Sequence, residues 1–314
     1  MTRRITTAAI LVLMVALTFE TVYADYTFTT LNVPGDARGG QACGISGNSI
    51  SGWGQTASGS LFGFLYNGTT YTILNVPGGY NTQALGMSGN NVAGVYIPYS
   101  TSVDRGFLYD GFNYITLSVP GASLTYGTAV NGNNVVGFYQ TGSPNLANGT
   151  DHGFLYDGSK YTPLPDVPGA SSTAPYGIEG NNIVGIYRDA NGVNHGFLYD
   201  GSKYTPLPDV PGALWTAYIG ISGSEYSGTY SDANGVEHGF LYNGSGFSYI
   251  NFPGASDTGV FGVEGNNIVG AWVDANSVSH EFLAKPAPVP LPMAILLLAP
   301  GLAGLAAVRR RFKK

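Results

Sequence analysis

The stretch YGIEGNNIVGIYRDANGVNHGFLYDGSKYTPLPDVPG, residues 176–212, carries the pattern from which the fold is read. Tyr176-Gly-Ile178 predicts a strand, and Gly180-Asn181-Asn182 a tight turn of residues that tolerate positive φ. Ile183 to Tyr187 is rich in β-branched and aromatic residues and predicts a second strand. Asp189-Ala-Asn-Gly192 is a loop. His195 to Tyr199 is a third strand, with Phe197 and Tyr199 on one face and Leu198 on the other. Asp200-Gly201 turns the chain into a fourth strand, Tyr204 to Leu207. Pro206 and Pro208 cannot donate to a ladder, which puts that strand at a sheet edge.

The same unit recurs along the chain. Gly-Phe-Leu-Tyr begins at Gly63, Gly106, Gly153, Gly196 and Gly239, and a degraded copy runs Glu281-Phe-Leu-Ala284. The spacings are 43, 47, 43, 43 and 42 residues. Val-Pro-Gly begins at Val33, Val76, Val119, Val167 and Val210 and returns as Phe252-Pro-Gly254. Gly-Asn-Asn before β-branched residues, as at Gly180 and Gly265, is a third marker in fixed order. Four short strands per unit is the pattern of a propeller blade, and one such sheet alone buries too little surface to be stable. The sequence therefore predicts an all-β, six-bladed propeller of four-stranded blades. Its first strand, Tyr26 to Leu31, matches the fourth strand of a unit, whereas the last unit ends after three strands at Phe282 and Leu283. The N-terminal strand is expected to complete the last blade and close the ring, removing two open edges.

Charge narrows the function. Between Asp25 and Lys285 lie only six of the 13 Lys and Arg residues but 18 of the 19 acidic ones, a formal charge of about −12. Such a body repels nucleic acid, whose binding needs cations to displace counterions. Cys43 is the single cysteine, so no intramolecular disulfide forms, and it is expected to be a small buried residue.

The residues with chemical potential fall mostly on repeat positions. His152, His195, His238 and His280 share one position, so the ring should spread them rather than gather them on one ion. The loops at Asp189, Asp232 and Asp274 offer too few oxygens for calcium and read as Asx turns. Glu179, Ser222 and Glu264 occupy equivalent turn positions, and the triplets at Asn67, Asn148 and Asn243 read as hairpin turns. No serine elbow, metalloprotease helix or phosphate loop is present, so no catalytic, cofactor or metal site is expected. Trp53, Trp215 and Trp272 are candidates to stack on sugars, with burial between blades as the competing role.

The two ends read as addresses. Arg3 and Arg4 precede a short apolar run, and Val22 and Ala24 place small residues before a cleavage point at Asp25, so residues 1–24 are expected to be a cleaved signal helix. The repeat body spans 25–285. Residues 286–292 form a proline-rich linker, and 293–314 an apolar span ending in a basic cluster. That cluster holds its end on the cytoplasmic side, with residues 293–308 as a transient membrane anchor in a short helix.

Val289, Pro290, Leu291 and Pro292, the apolar span and Arg309, Arg310 and Arg311 together resemble the PEP-CTERM sorting signal of Gram-negative bacteria, with leucine where the namesake motif has glutamate. That resemblance implies processing by an exosortase-type enzyme and a cell-surface or matrix destination associated with exopolysaccharide and biofilm. The body is similar to extracellular repeats named for a His-Ala-Phe phrase, matched here by His152-Gly-Phe154, His195-Gly-Phe197 and His238-Gly-Phe240. It implies fold and location but no activity. The leading expectation is a non-enzymatic surface or matrix protein that binds exopolysaccharide or a surface protein. The rival is an extracellular polysaccharide hydrolase or lyase, which requires polar, non-repeating residues converging at the propeller mouth.

Overall fold

Six four-stranded antiparallel sheets follow one another around a common axis; five run from inner to outer strand in chain order, and the sixth takes its outer strand from the N-terminus. The computed structural model describes residues 26–101, 103–142 and 150–288. Val22 and Ala24, the motif from Val289 to Pro292, the basic cluster at Arg309 to Arg311 and the triplet residue Asn148 lie outside the described residues. In the fourth blade the strands are Ser172–Glu179, Asn182–Arg188, Asn194–Tyr199 and Tyr204–Pro206. Its inner strand is longer than the sequence suggested, because it continues through Pro175 by means of a bulge. The outer strand carries Pro206 at the edge of the sheet, where a missing donor costs nothing.

The turns follow from residue chemistry. Gly180 sits at φ 58° while Asn181 does not have positive φ, the pattern of a type II′ hairpin turn that matches strand twist. Asp157 and Asp200 in the third-to-outer hairpins accept the N–H groups two and three residues on. The side chains of Ser159 and Ser202 and these backbone donors hold both carboxyls at about 2. Asn67 and Asn243 make the same turn, so those two triplets act as hairpins.

The packing explains why the phrase Gly-Phe-Leu-Tyr recurs. Phe64, Phe107, Phe154, Phe197, Phe240 and Phe282 are all essentially fully buried, one per blade. Each lies across the sheet from a glycine of the second strand, as Phe197 does from Gly185. A Cβ at Gly185 would stand 2.7 Å from the Phe197 ring, so the glycine makes the room that the ring fills. Between blades, Leu155 and Val136 of the third pack with Phe197, Tyr199 and Ile183 of the fourth.

Two sets of polar contacts lace neighbouring elements. Thr82, Thr125, Thr173, Thr216 and Thr258 on the inner strands each accept the N–H at the start of the preceding connection, as Thr173 does from Val167 at 3.0 Å. The first blade alone lacks this threonine and has Gly40 there. At the opposite end, Ser46, Ser88, Asn131, Glu179 and Ser222 each accept the turn glycine N–H of the next blade, and Glu264 accepts that of Gly47. The turn positions Glu179, Ser222 and Glu264 thus belong to a closed circle of six inter-blade hydrogen bonds.

The ring closes as the repeat pattern predicts. Tyr26–Thr30 pairs antiparallel with Ser279–Pro286, with Tyr26 opposite Pro286 and Thr30 opposite Phe282. Phe28 packs edge-on against Phe252 and Phe282, anchoring the strand in the last blade. Among the described residues no helix is long and apolar enough to cross a membrane.

Candidate functional sites

The face bearing the second-to-third strand loops and the blade-to-blade connections is here the upper face; the hairpin turns form the lower one. The axis between them is mostly apolar, with Gln41, Thr128 and Tyr176 as its polar side chains. Each inner strand inserts one extra residue against its neighbour, namely Cys43, Leu85, Thr128, Tyr176, Ile219 and Phe261. These bulges and the ring of Ile45, Met87, Val130, Ile178, Ile221 and Val263 line an axial cavity of about 240 Å³. Burial pushes the Cys43 thiol up, so it is a packed apolar residue rather than a nucleophile.

The histidines are spread around the upper face, as their common repeat position requires. His195 Nδ1 lies 2.8 Å from Asp209 and its Nε2 3.6 Å from Asp189. His238 is held between Asn251 at 2.9 Å and Asp232 at 3.5 Å. His152 meets Asp166 at 3.0 Å, and His280 meets Asp274 at 3.2 Å. An aromatic side chain from the second strand covers each ring: Tyr139, Tyr187, Tyr230 and Trp272 in turn. These histidines pin loops together.

The Asp-Ala-Asn loops are Asx turns. Asp189 accepts N–H bonds from Val193 at 2.8 Å and Asn191 at 2.9 Å, and these donors hold its carboxyl below the usual range. Asp232 and Asp274 repeat the arrangement with Val236 and Val278. Carboxylates so engaged have little left to offer calcium, and among the described residues no cluster of metal-ligating side chains occurs.

The upper rim departs from the repeat over the second to fourth blades. The Tyr126 hydroxyl donates to Asp104 at 2.5 Å, while Asp151 accepts from Gln140 at 2.7 Å and Ser172 at 3.0 Å. Burial and the adjacent Asp104 push the Tyr126 phenol up, and burial with the charge of Asp151 lifts Tyr176 to about 12. Neither phenol is activated as a nucleophile, because both shifts run opposite to that role.

The most perturbed carboxyl is elsewhere. Glu281 stands where the five complete copies have glycine, is 2% exposed, and leaves Oε1 without a hydrogen-bond partner. Burial, with a smaller contribution from Asp36, lifts its pKa to about 8. The space it occupies exists because Gly40 replaces threonine: a Cβ on Gly40 would stand 2.4 Å from Glu281 Oε1. The degraded copy of the repeat marked this position in the sequence; the compensating glycine 241 residues away did not show itself.

The aromatic surfaces also sort by structure. Trp272 is sandwiched between Phe252 at 4.3 Å and His280 at 4.6 Å, so neither of its faces is available to a sugar. Trp53 and Trp215 are half-buried. Sequence reasoning missed the pair Tyr80 and Tyr99, whose rings stack at 5.5 Å and 20° on the upper face of the second blade. Tyr99 is 71% exposed and Tyr80 38%. The signal was the departure of this blade from the repeat, where an added residue shifts the register between Tyr80 and Gln83.

No family model matches the chain, and no curated protein matches it significantly. Solved propellers do. The β-propeller domain of the Trilobed protease from Pyrococcus furiosus is 10% identical with a TM-score of 0.51, covering 81% of this chain and 99% of that one. The SapL1 lectin in complex with α-methyl fucoside is 16% identical with a TM-score of 0.53, covering 82% of this chain and 98% of that one. A mutant Aleuria aurantia lectin in complex with Fucα1-6GlcNAc is 12% identical with a TM-score of 0.50, covering 82% and 99%. At these identities the likeness establishes a class, the six-bladed β-propeller.

Proposed function

We propose that this chain is a non-enzymatic carbohydrate-binding propeller, exported to the cell surface or extracellular matrix, where its partner is exopolysaccharide. The observation that carries the reading is the Tyr80–Tyr99 stack. Two rings held parallel and exposed, where few of the described aromatic side chains are exposed, form a platform for the apolar C–H face of a sugar. The likeness to two lectin propellers with bound fucose-containing ligands supports the same reading. Against an enzyme stand the mostly apolar axis, the two phenols shifted away from activation, and the enclosure of Glu281 out of a substrate's reach. Export rests on the signal-like residues before Asp25, and sorting by an exosortase-type enzyme on the tail from Val289 to Arg311.

A glycan array that includes fucosylated and exopolysaccharide-derived oligosaccharides tests the binding. The purified chain should retain a defined subset, and Tyr99→Ala should weaken that binding at least tenfold without lowering Tm. An unchanged profile in Tyr99→Ala overturns the platform. Mass spectrometry of the exported protein should find an N-terminus at Asp25.

A further inference from the structure

The lower face carries a second cleft where the ring closes. Five blades end the third strand in a tight hairpin led by Asn67, Asp110, Asp157, Asp200 or Asn243. The sixth has no such hairpin, because its outer strand comes from the N-terminus. Its third strand runs on instead, and Lys285 takes the hairpin-leading position, paired with Thr27. The result is a cavity of about 340 Å³ between the sixth blade and the first.

The lining is specific in chemistry. Ile45, Ile50 and Leu283 supply an apolar floor, and Tyr66 an aromatic wall. Lys285 is exposed and has no carboxylate partner among the described residues. Asn48 and Asn267 also face the cleft, and their amides have no hydrogen-bond partner among the described residues. At the equivalent position of the second blade, Asn91 donates its amide across the blade boundary to the Gly132 carbonyl at 2.6 Å. Asn267 makes no such bond at the seam, as Asn134 and Asn182 make none in the third and fourth blades, so its donors stay available.

We propose that this seam cleft binds an anionic sugar residue, with its carboxylate or sulfate on Lys285, its hydroxyls on Asn48 and Asn267, and its apolar face on Tyr66. An unpaired ammonium beside amide donors favours an anion, since the Glu264 carboxylate at the rim is engaged by the Gly47 N–H, and the aromatic wall and aliphatic floor favour a ring with an apolar face. The cavity volume falls at the lower end of small-molecule sites, enough for one sugar ring with its substituents. The inference deepens the carbohydrate-binding reading but uses a different face from the Tyr80–Tyr99 platform, so the two fail separately.

The test is calorimetric titration of the purified chain with methyl glucuronoside, methyl glucoside and glucose 6-sulfate. The expected result is binding of one or both anions at least tenfold tighter than of the neutral glucoside, weakened by added salt. Lys285→Gln should remove that preference with Tm unchanged. Affinity for both anions no greater than for the glucoside, no anion binding, or an unchanged preference in Lys285→Gln overturns the seam site. If glycan binding that depends on Tyr99 persists in those cases, the carbohydrate-binding reading stands without it.

Discussion

Replacing Glu281 with glutamine keeps the shape of the side chain and removes its proton equilibrium. The parent carboxyl is buried between the last blade and the first, and its pKa is lifted from 4.5 to about 8. In the unfolded chain the group ionises near its ordinary pKa, so between these values the folded state holds a proton that the unfolded state has lost. Stability therefore falls as pH rises through this window and levels off above pH 8. At ~1.4 kcal/mol per pH unit, the loss from pH 5 to pH 8 is about 4 kcal/mol, on the order of 10 °C in Tm for a domain of this size. Burial pushes Cys43 up and Tyr71 up to about 12, so neither of these titrates with Glu281. Groups other than the Glu281 side chain are common to both proteins and cancel in the difference. The assay is urea unfolding of parent and variant at half-unit intervals of pH. Glu281→Gln should match the parent near pH 5 and exceed it by about 4 kcal/mol at pH 8. Parallel pH profiles would falsify the claim that the buried carboxyl is protonated at neutral pH.

Other consequences of the fold are open to simpler measurements. A chain that begins at residue 33, compared with one that begins at residue 25, lacks the strand that closes the last blade, and should unfold at least 10 °C lower on a thermal scan; equal Tm values refute the closure. Gly196→Ala should cost about 1–3 kcal/mol in urea unfolding, because the new Cβ would stand 2.0 Å from the Tyr218 ring; a neutral outcome would mean the blade boundary relaxes freely. Chelation with EDTA, or added calcium, should leave Tm unchanged within about 1 °C, since a site at 100-fold saturation would add ~2.7 kcal/mol. A calcium-dependent rise in Tm would show that the Asx-turn carboxylates of Asp189, Asp232 and Asp274 are free to bind.

Much of this architecture was legible in the residues because a repeat exposes its own constraints. Phe197 could be assigned to a core from its five equivalents, and the unpaired strand at Tyr26 announced the closure because the sixth unit stopped one strand short. The Asp-Ala-Asn loops could be read as turns from local chemistry, since an Asx turn involves only residues two and four positions on. Sequence alone therefore determined the strand count, the blade count, the edge proline and the dispersal of the histidines, all of which follow from periodicity and short-range hydrogen bonding. Tertiary structure decided what depends on residues far apart in the chain. It joined Glu281 to Gly40, stacked Tyr80 on Tyr99 while closing both faces of Trp272, and left Lys285 facing an open cleft at the seam. Each of these lies where the six-fold pattern breaks, and a break in a repeat marks a position without showing which distant residue will meet it.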